Sequence, residues 1–455
     1  MEQLDLTATA GIWTELIAHQ RLDAVAEQAS GLSLPDLVRI LERLPVTDRA
    51  VAFRLLPKEK AHEVFERFDE GLRAELFSSL RDDDVVGLFA GLDPDDRVHL
   101  MDELPAGVAH RLLQRLSEDE RELTAPILGY GRGTIGRRMS TEYLRLRPGQ
   151  SVGDALTLAR RYGEGAETIY VLPVVDDARV LLGVVSLRAL FLAATETPVA
   201  ELMTAPVLVT ATDGEEAASR RCVDAQVLAV PVVDLEERLV GILTFDDAAR
   251  IVQRAEDEDA SRAGAAEPIR RPYLSTPINR LVRTRVVWLF FLAISAALTV
   301  GVLDYFEEDL AQVVALASFI PLLIGTGGNT GSQAAVTITR ALAVGDVRAR
   351  DIGRVLLREV RVGAVLGLTL GAVAFLVIMG VSLFSESYTA PIGLTVGLSM
   401  LAICVLAAAA GGAIPCIAKS LRIDPAVMST PFIATFVDAT GLIVYFLVAK
   451  AILGI

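Results

Sequence analysis

Residues 425–449 read PAVMSTPFIATFVDATGLIVYFLVA and contain a single charged side chain, that of Asp438. A segment this long and apolar can cross the ~30 Å hydrocarbon core of a bilayer. A carboxylate at that depth costs at least ~2.5–3.5 kcal/mol on insertion scales and usually marks an ion or substrate pathway. The alternative is a carboxylate neutralised by a partner inside a helix bundle. The segment therefore predicts a membrane helix whose function depends on Asp438.

Four more apolar segments precede this one, so the sequence predicts an α-helical membrane bundle of five spans. They lie at about 285–303, 313–338, 360–384, 391–417 and 427–449. Arginine or lysine precedes the first span and occurs between the second and third and between the fourth and fifth. The other two loops contain neither. The positive-inside rule then predicts a cytoplasmic N-terminal part and an extracytoplasmic C-terminus.

The charge of the chain is unevenly distributed. The formal net charge of the 455 residues is −15, and residues 283–455 are close to neutral, so the excess of carboxylates lies in the first part. This balance argues against nucleic-acid binding, which needs a basic surface. Carboxylate oxygens suit hard divalent cations, although an acidic balance is also typical of an ordinary soluble surface.

Two internal repeats organise the part before the membrane. In residues 1–130 apolar residues recur every twelve positions, which predicts short helices stacked into an all-α superhelical solenoid. These residues are Leu44, Leu56, Phe68, Leu80, Leu92, Leu104 and Leu116. In the second repeat, IYVLPVVD at 169–176 is matched by VLAVPVVD at 227–234, and each is followed by a second strand opened by glycine and then by a helix.

This second repeat resembles a tandem CBS pair, an α/β module, with copies at 138–200 and 201–252. The resemblance implies dimerisation and, in some members, adenine-nucleotide binding. An aspartate six residues after the strand glycine often contacts the ribose, and here Asp247 follows Gly241 whereas Ala189 follows Gly183. ATP binding at the pair is therefore left open. A connecting helix and an irregular linker are expected at 253–280, before the membrane domain at 281–455.

The second span contains the sequence GTGGNTGSQ at residues 325–333. Four glycines predict an interrupted helix whose freed carbonyls and amides line a hydrated path. The alternative is close helix packing by small residues. Ala434 lies four residues before Asp438 and so on the same helix face, leaving room for a hydrated ion. The other candidate pore-lining residues are Gly325, Gly328, Asn329, Gln333, Pro431 and Thr435.

Several motifs resemble the MgtE family of magnesium channels: the 325–333 stretch, Asp424-Pro425, Asp438, Phe306-Glu307 and Arg358-Glu359 to Gly363. The order of domains is also similar. The resemblance implies a homodimeric, Mg²⁺-selective and Mg²⁺-gated channel of the bacterial inner membrane. It assigns Asp438, with the Ala434 backbone nearby, to the pore. One carboxylate per chain suits Mg²⁺, which keeps most of its waters, if two chains share the site.

In this family Mg²⁺ bound between the soluble domains and the connecting helix keeps the pore shut. The acidic positions that match are Asp95, Asp213, Glu216, Asp224, Asp246, Asp247, Glu258 and Asp259. Arg250 and Gln226 stand where family members often have an acid. Gln253 and Ala255 reduce the number of acidic residues on the face of the connecting helix. Some of these sites are therefore expected to be weaker.

Two functional alternatives stay open at this point. Asp438 would also serve a coupled secondary transporter as a proton or cation carrier, and the transported ion could be Mn²⁺ or Co²⁺. An enzyme is not predicted: the sequence has no His-Glu-x-x-His motif, no phosphate-binding Gly-x-x-x-x-Gly-Lys-Ser/Thr motif, and no histidine after His110.

Overall fold

A computed structural model describes residues 5–68, 70–80, 82–104, 106–269, 273, 276–384, 388–425 and 430–454, without the side chains of 59, 66, 70, 74, 78, 82–84, 103 and 106. The chain forms two compact units. One consists of Met1–Glu256 with Ile269–Thr276, and the other of Asp257–Pro268 with Pro277–Ile455.

The predicted twelve-residue repeat is confirmed. Each helix from α2 to α10 begins twelve residues after the one before it, from Leu22 to Glu118. The helices are α1 (Leu6–Ala18), α2 (Leu22–Gly31), α3 (Leu34–Arg43), α4 (Val46–Arg54), α5 (Lys58–Arg67), α6 (Glu70–Ser79), α7 (Asp82–Ala90), α8 (Pro94–Glu103), α9 (Ala106–Arg115) and α10 (Glu118–Leu128). Phe53, Phe65 and Phe77 follow the same period and pack with ring centroids 6.4 and 6.0 Å apart.

An arginine repeats every second unit and stabilises the turns; Arg49, Arg73 and Arg97 are buried, and Arg121 is exposed. Arg49, Arg73, Arg97 and Arg121 each donate to a main-chain carbonyl near the end of an earlier helix. Examples are Arg49 Nε to Leu41 O at 2.9 Å and Arg73 Nε to Phe68 O at 2.9 Å. The last carbonyls of a helix have no partner within it, so these guanidinium groups satisfy acceptors that would otherwise be buried and unpaired.

The CBS pair has the predicted order of strands and helices. Its elements are α11 (Val152–Tyr162), β1 (Val171–Val175), β2 (Leu181–Ser186), α12 (Leu187–Leu192), α13 (Val199–Leu202), β3 (Val209–Thr210), α14 (Glu215–Ala225), β4 (Ala229–Val233) and β5 (Leu239–Thr244). Strands β1 and β2 are antiparallel, as are β4 and β5, and β3 pairs with β4 in parallel.

The connecting helix begins earlier than the sequence indicated. Helix α15 runs without interruption from Phe245 to Ala263, so the expected boundary between residues 252 and 253 falls inside it. No glycine or proline lies within this range to end the second CBS copy. The last helix of the CBS pair and the connecting helix are therefore one element.

The described residues contain five helices long and apolar enough to cross a membrane. They are α16 (Ile278–Tyr305), α18 (Ile320–Ala343), α19 (Ile352–Ser382), α20 (Ala390–Ser420) and α21 (Thr430–Leu453); the short α17 (Glu307–Gln312) follows α16, and a 3-10 turn (Val314–Phe319) leads into α18. The five predicted spans are confirmed, although residues 427–429 of the last one lie outside the described range.

The prediction that glycines interrupt the second span is wrong. Helix α18 is continuous through the GTGGNTGSQ stretch. The glycines allow close packing instead: a Cβ built on Gly411 of α20 would lie 2.2 Å from the carbonyl oxygen of Gly331. Helices that approach this closely gain van der Waals contact, which drives association in a bilayer. The small-residue alternative therefore explains this sequence.

Candidate ion pathway and candidate metal site

Asp438 lies on α21 where this helix faces the glycines of α18. A Cβ built on Gly328 would lie 3.5 Å from Asp438 Oδ1 and 3.4 Å from the Cβ of Ala434. The structure thus brings together Asp438, Ala434 and Gly328, all three predicted pore residues. No described side chain forms an ion pair or hydrogen bond with the Asp438 carboxylate. A neutralising partner for this carboxylate is absent from the described membrane helices of the single chain.

The remaining pore candidates form a polar face beside Asp438. Gly325, Asn329 and Gln333 are spaced four residues apart on α18, and all three are exposed in the single chain. Pro431 and Thr435 of α21 are partly exposed, and Thr435 Oγ1 donates to Pro431 O at 2.9 Å. Amides and small residues therefore line an uncovered surface of a predominantly apolar bundle.

The far end of α21 is anchored by contacts that the sequence reading missed. Tyr445 is fully buried, and its hydroxyl donates to Leu316 O at 2.9 Å. Lys450 pairs with Asp309 of α17 at 3.1 Å, and the rings of Phe306 and Phe446 stack with centroids 4.6 Å apart. These contacts fix the helix that carries Asp438.

A second candidate site lies in the part of the chain before the membrane helices, between α8 and the start of α15. It is a cavity of about 30 Å³ lined by Arg73, Asp95, Asp96, His99, Arg138, Asp247, Arg250, Ile251 and Arg254. Oδ1 of Asp95 is buried there without a hydrogen-bond partner among the described residues. A buried oxygen of this kind is costly unless something binds it. The cavity has room for about one water-sized particle, so a metal ion would bind the carboxylates directly.

Burial and mutual repulsion perturb the acids of this site. Burial raises the pKa of Asp95 well above its usual range, and the negative charges of Asp247 and Asp96 add to the effect. The pKa of Glu167, from the first CBS copy, is raised to about 7 by burial and then by Asp247. The sequence reading missed Glu167. These carboxyls would be better satisfied by a bound cation than by one another.

Arginines partly take the place of that cation. Arg250, anticipated from the sequence, contacts Asp247, whose other oxygen accepts from Thr244 Oγ1 at 2.7 Å. Arg73 pairs with Asp96 at 3.2 Å. The part of the chain that the structure describes contains no group of three or more histidine, cysteine or acidic side chains already arranged around a metal. Asp95 and Asp247 fit a divalent cation, but Arg250 competes with it.

The other predicted sensor residues do not converge within one chain. Asp213 precedes α14, Glu216 lies in its first turn, and the exposed Asp224 lies near its end, about 12 Å from Glu216 along the helix axis. Asp246 is exposed. Arg220 pairs with Glu216 at 2.9 Å and with Glu256 of α15 at 3.5 Å. A metal shared by these acids would need groups from elsewhere.

The end of α15 contacts the residues that precede the last membrane helix. Arg262 Nη1 pairs with Asp424 at 2.5 Å, and Nη2 lies 3.4 Å from Glu258 one turn earlier. Asp259 is half-buried beside it. The predicted acids Glu258 and Asp259 therefore lie on the stretch of α15 that reaches Asp424, with an arginine between Glu258 and Asp424.

Family comparisons agree with this architecture. Residues 320–448 match the family of divalent cation transporters called MgtE, residues 32–133 match the MgtE intracellular N domain, and residues 133–196 and 199–254 match CBS domains. The crystal structure of the cytosolic domain of the Mg²⁺ channel MgtE in complex with ATP is similar, with a TM-score of 0.50 and 31% identity. That likeness covers 53% of this chain and 99% of the solved one.

Full-length relatives cover nearly the whole sequence. The magnesium transporter MgtE of Thermus thermophilus is 36% identical over 437 residues, which are 94% of this chain and 95% of that protein. The magnesium transporter MgtE of Bacillus subtilis is 30% identical, with 89% and 93% covered. With five membrane-spanning candidates among the described helices, this multi-pass membrane protein belongs to the MgtE family of magnesium transporters.

Proposed function

We propose that the chain is a Mg²⁺-selective channel whose pore passes Asp438 on the two-fold axis of a homodimer. The observation that carries this proposal is the Asp438 carboxylate, which lies against Gly328 and Ala434 without a partner among the described residues. The exposed face formed by Asn329 and Gln333 continues the polar surface. Two chains would supply two carboxylates, the number that commonly holds Mg²⁺ with its waters retained.

The cytoplasmic acids are proposed to sense Mg²⁺ and close the pore. Support comes from the buried oxygen of Asp95 and from the raised pKa of Asp95 and Asp247, which burial causes first and neighbouring negative charges increase. A bound Mg²⁺ would remove that repulsion. The route to the pore is α15, because Arg262 joins its end to Asp424 before the last span. Asp213, Glu216, Asp224, Asp246, Glu258 and Asp259 are proposed as further sensor positions.

The proposed location is the bacterial inner membrane, with the N-terminus in the cytoplasm and the C-terminus outside. A divalent cation entering a negative-inside cell gains about 4.6 kcal/mol per 100 mV. This energy is enough for passive uptake, so coupling to another ion is not needed. A gate is needed, because passive uptake would otherwise continue without control.

The proposed division of the chain is a sensor solenoid at 1–130, CBS copies at 138–200 and 201–252, a connecting helix and linker at 253–280 and a membrane domain at 281–455. The boundary between residues 252 and 253 is one of function only, because α15 runs through it. ATP is a second candidate ligand of the CBS pair. The solved relative bound to ATP supports it, whereas Ala189 and the engagement of Asp247 by Thr244 and Arg250 oppose it.

Single-channel recording in planar bilayers distinguishes a channel from a coupled carrier. We expect discrete Mg²⁺ openings that millimolar Mg²⁺ on the cytoplasmic side suppresses. Macroscopic flux without unitary events, together with flux that requires a proton or sodium gradient, would contradict the channel proposal and support the carrier. Replacing Mg²⁺ by Mn²⁺ or Co²⁺ in the same bilayers measures the selectivity.

A further inference from the structure

A cavity of about 490 Å³ lies beside the first turns of α16, where the first membrane helix begins. Its lining residues are Glu267, Asn279, Arg280, Arg283, Thr284 and Val287. The volume falls within the range of ~300–1,000 Å³ that is usual for ligand pockets. All these residues belong to the same compact unit, and none belongs to the ion pathway or the sensor.

Glu267 is held against α16 by two hydrogen bonds. Its main-chain N–H donates to Thr284 O at 3.1 Å, and its carboxylate accepts from Trp288 Nε1 at 3.3 Å. The segment before the first membrane helix therefore forms a fixed wall of the cavity.

The charge of the lining favours a singly charged anion. Arg280 and Arg283 are three residues apart and so lie on one side of α16. Their guanidinium groups have no ion pair or hydrogen bond with any described residue. Against these two positive charges stands one carboxylate, Glu267, which leaves a net charge of about +1. Guanidinium groups bind phosphate oxygens in pairs of parallel hydrogen bonds, which makes a phosphodiester a suitable ligand.

The surface of α16 beyond the cavity is apolar. Val287, Phe291 and Ile294 are all exposed and lie on one side of the helix. This arrangement of a positively charged cavity next to an apolar helix surface matches a lipid, whose phosphate and acyl chains are joined in one molecule. Basic pockets at the ends of membrane helices are known lipid head-group sites.

We propose that this cavity binds the head group of an anionic phospholipid with one negative charge, such as phosphatidylglycerol. Arg280 and Arg283 bind the phosphate. Glu267 accepts hydrogen bonds from the head-group hydroxyls, and the Asn279 amide donates to them. The acyl chains pack along Val287 and Phe291. The bound lipid then fills the gap between α16 and the segment that contains Glu267.

Native mass spectrometry of the full chain in detergent tests this site. Phosphatidylglycerol, phosphatidylethanolamine and phosphatidylcholine are added at equal concentration, and the affinity of each adduct is measured. We expect the double substitution of Arg280→Gln with Arg283→Gln to weaken the tightest phosphatidylglycerol adduct about 30-fold, since each basic residue near anionic lipid contributes a factor of about five. Arg280→Lys with Arg283→Lys should retain most of the affinity.

Arg358→Gln with Arg361→Gln is the matched control. These two arginines have the same spacing at the start of α19, are also exposed, and do not line the cavity. Equal loss in this control, equal binding of phosphatidylethanolamine, or phosphatidylglycerol binding unchanged in the Arg280 and Arg283 variant would overturn the proposal. So would displacement of the lipid by millimolar inorganic phosphate, since the cavity would then be a free-phosphate site. Unchanged melting in phosphatidylcholine shows that the variant is folded.

Discussion

Replacing Arg250 by glutamine should sensitise the gate to Mg²⁺. The guanidinium group contacts Asp247 and lines the same cavity as Asp95. A divalent cation bound by these two carboxylates would lie ~5 Å from the positive charge. Because the Arg250 side chain is 46% exposed, the dielectric constant of water applies, and Coulomb's law gives a repulsion of about 1.7 kcal/mol. Its removal should lower the Mg²⁺ concentration that half-closes the pore roughly 10–20-fold.

The assay is Mg²⁺ flux into proteoliposomes at a series of cytoplasmic-side Mg²⁺ concentrations. Arg250→Asp should shift the midpoint further in the same direction, because a negative charge replaces the positive one. Arg188→Gln is the control: it removes the same charge from the corresponding helix of the first CBS copy, where Arg188 is exposed. A midpoint that does not move in Arg250→Gln, or that moves equally in the control, would refute the competition between arginine and metal.

Three further predictions follow from contacts elsewhere in the chain. Burial, and then neighbouring acids, raise the pKa of Glu167 from 4.5 to about 7, so between these pH values the folded protein binds more protons than the unfolded one. Without Mg²⁺ the melting temperature should therefore fall as the pH rises towards and through about 7. Glu167→Gln should reduce this pH dependence. Gly411→Ala should destabilise the membrane domain by about 1–3 kcal/mol because its Cβ meets a carbonyl oxygen, whereas Gly380→Ala, with open space around it, should not change thermal stability in detergent. Arg262→Asp should raise the Mg²⁺ concentration needed for closure, and adding Asp424→Arg should return that concentration to its original value. If this charge swap does not restore closure in the flux assay, the ion pair has no role in gating.

Local periodicity accounts for the features that the sequence predicted well. Twelve-residue spacing requires one short helix and one turn per unit, and the helix starts from Leu22 to Glu118 follow it. The membrane spans were predictable because hydrocarbon tolerates no other backbone arrangement within a single apolar segment. The 24-residue recurrence of Arg49, Arg73 and Arg97 could also be read from the sequence, and it marks buried arginines that bind helix-end carbonyls.

Features that depend on distant residues were not predictable in this way. Whether the glycines of α18 break the helix or allow a neighbouring helix to pack closely depends on which residues face them. Gly411, which faces Gly331, lies eighty residues further along the chain. The candidate metal site before the membrane helices likewise combines Asp95, Glu167 and Asp247 from three separate parts of the sequence. Matching the sequence to a family pattern located two of these acids and Arg250, but it could not reveal that Arg73, Arg138 and Arg254 line the same cavity.

The most direct test of the account is Mg²⁺ flux through the Asp438→Asn variant in proteoliposomes at low internal Mg²⁺, the condition in which the proposed gate is expected to be open. This substitution keeps the side-chain volume and removes the charge, so the helix contact with Gly328 is retained. We expect flux to fall at least tenfold while the melting temperature and the oligomeric mass stay unchanged. Mg²⁺ flux equal to that of the unaltered protein would contradict the claim that the Asp438 carboxylate is the ion site of the pore.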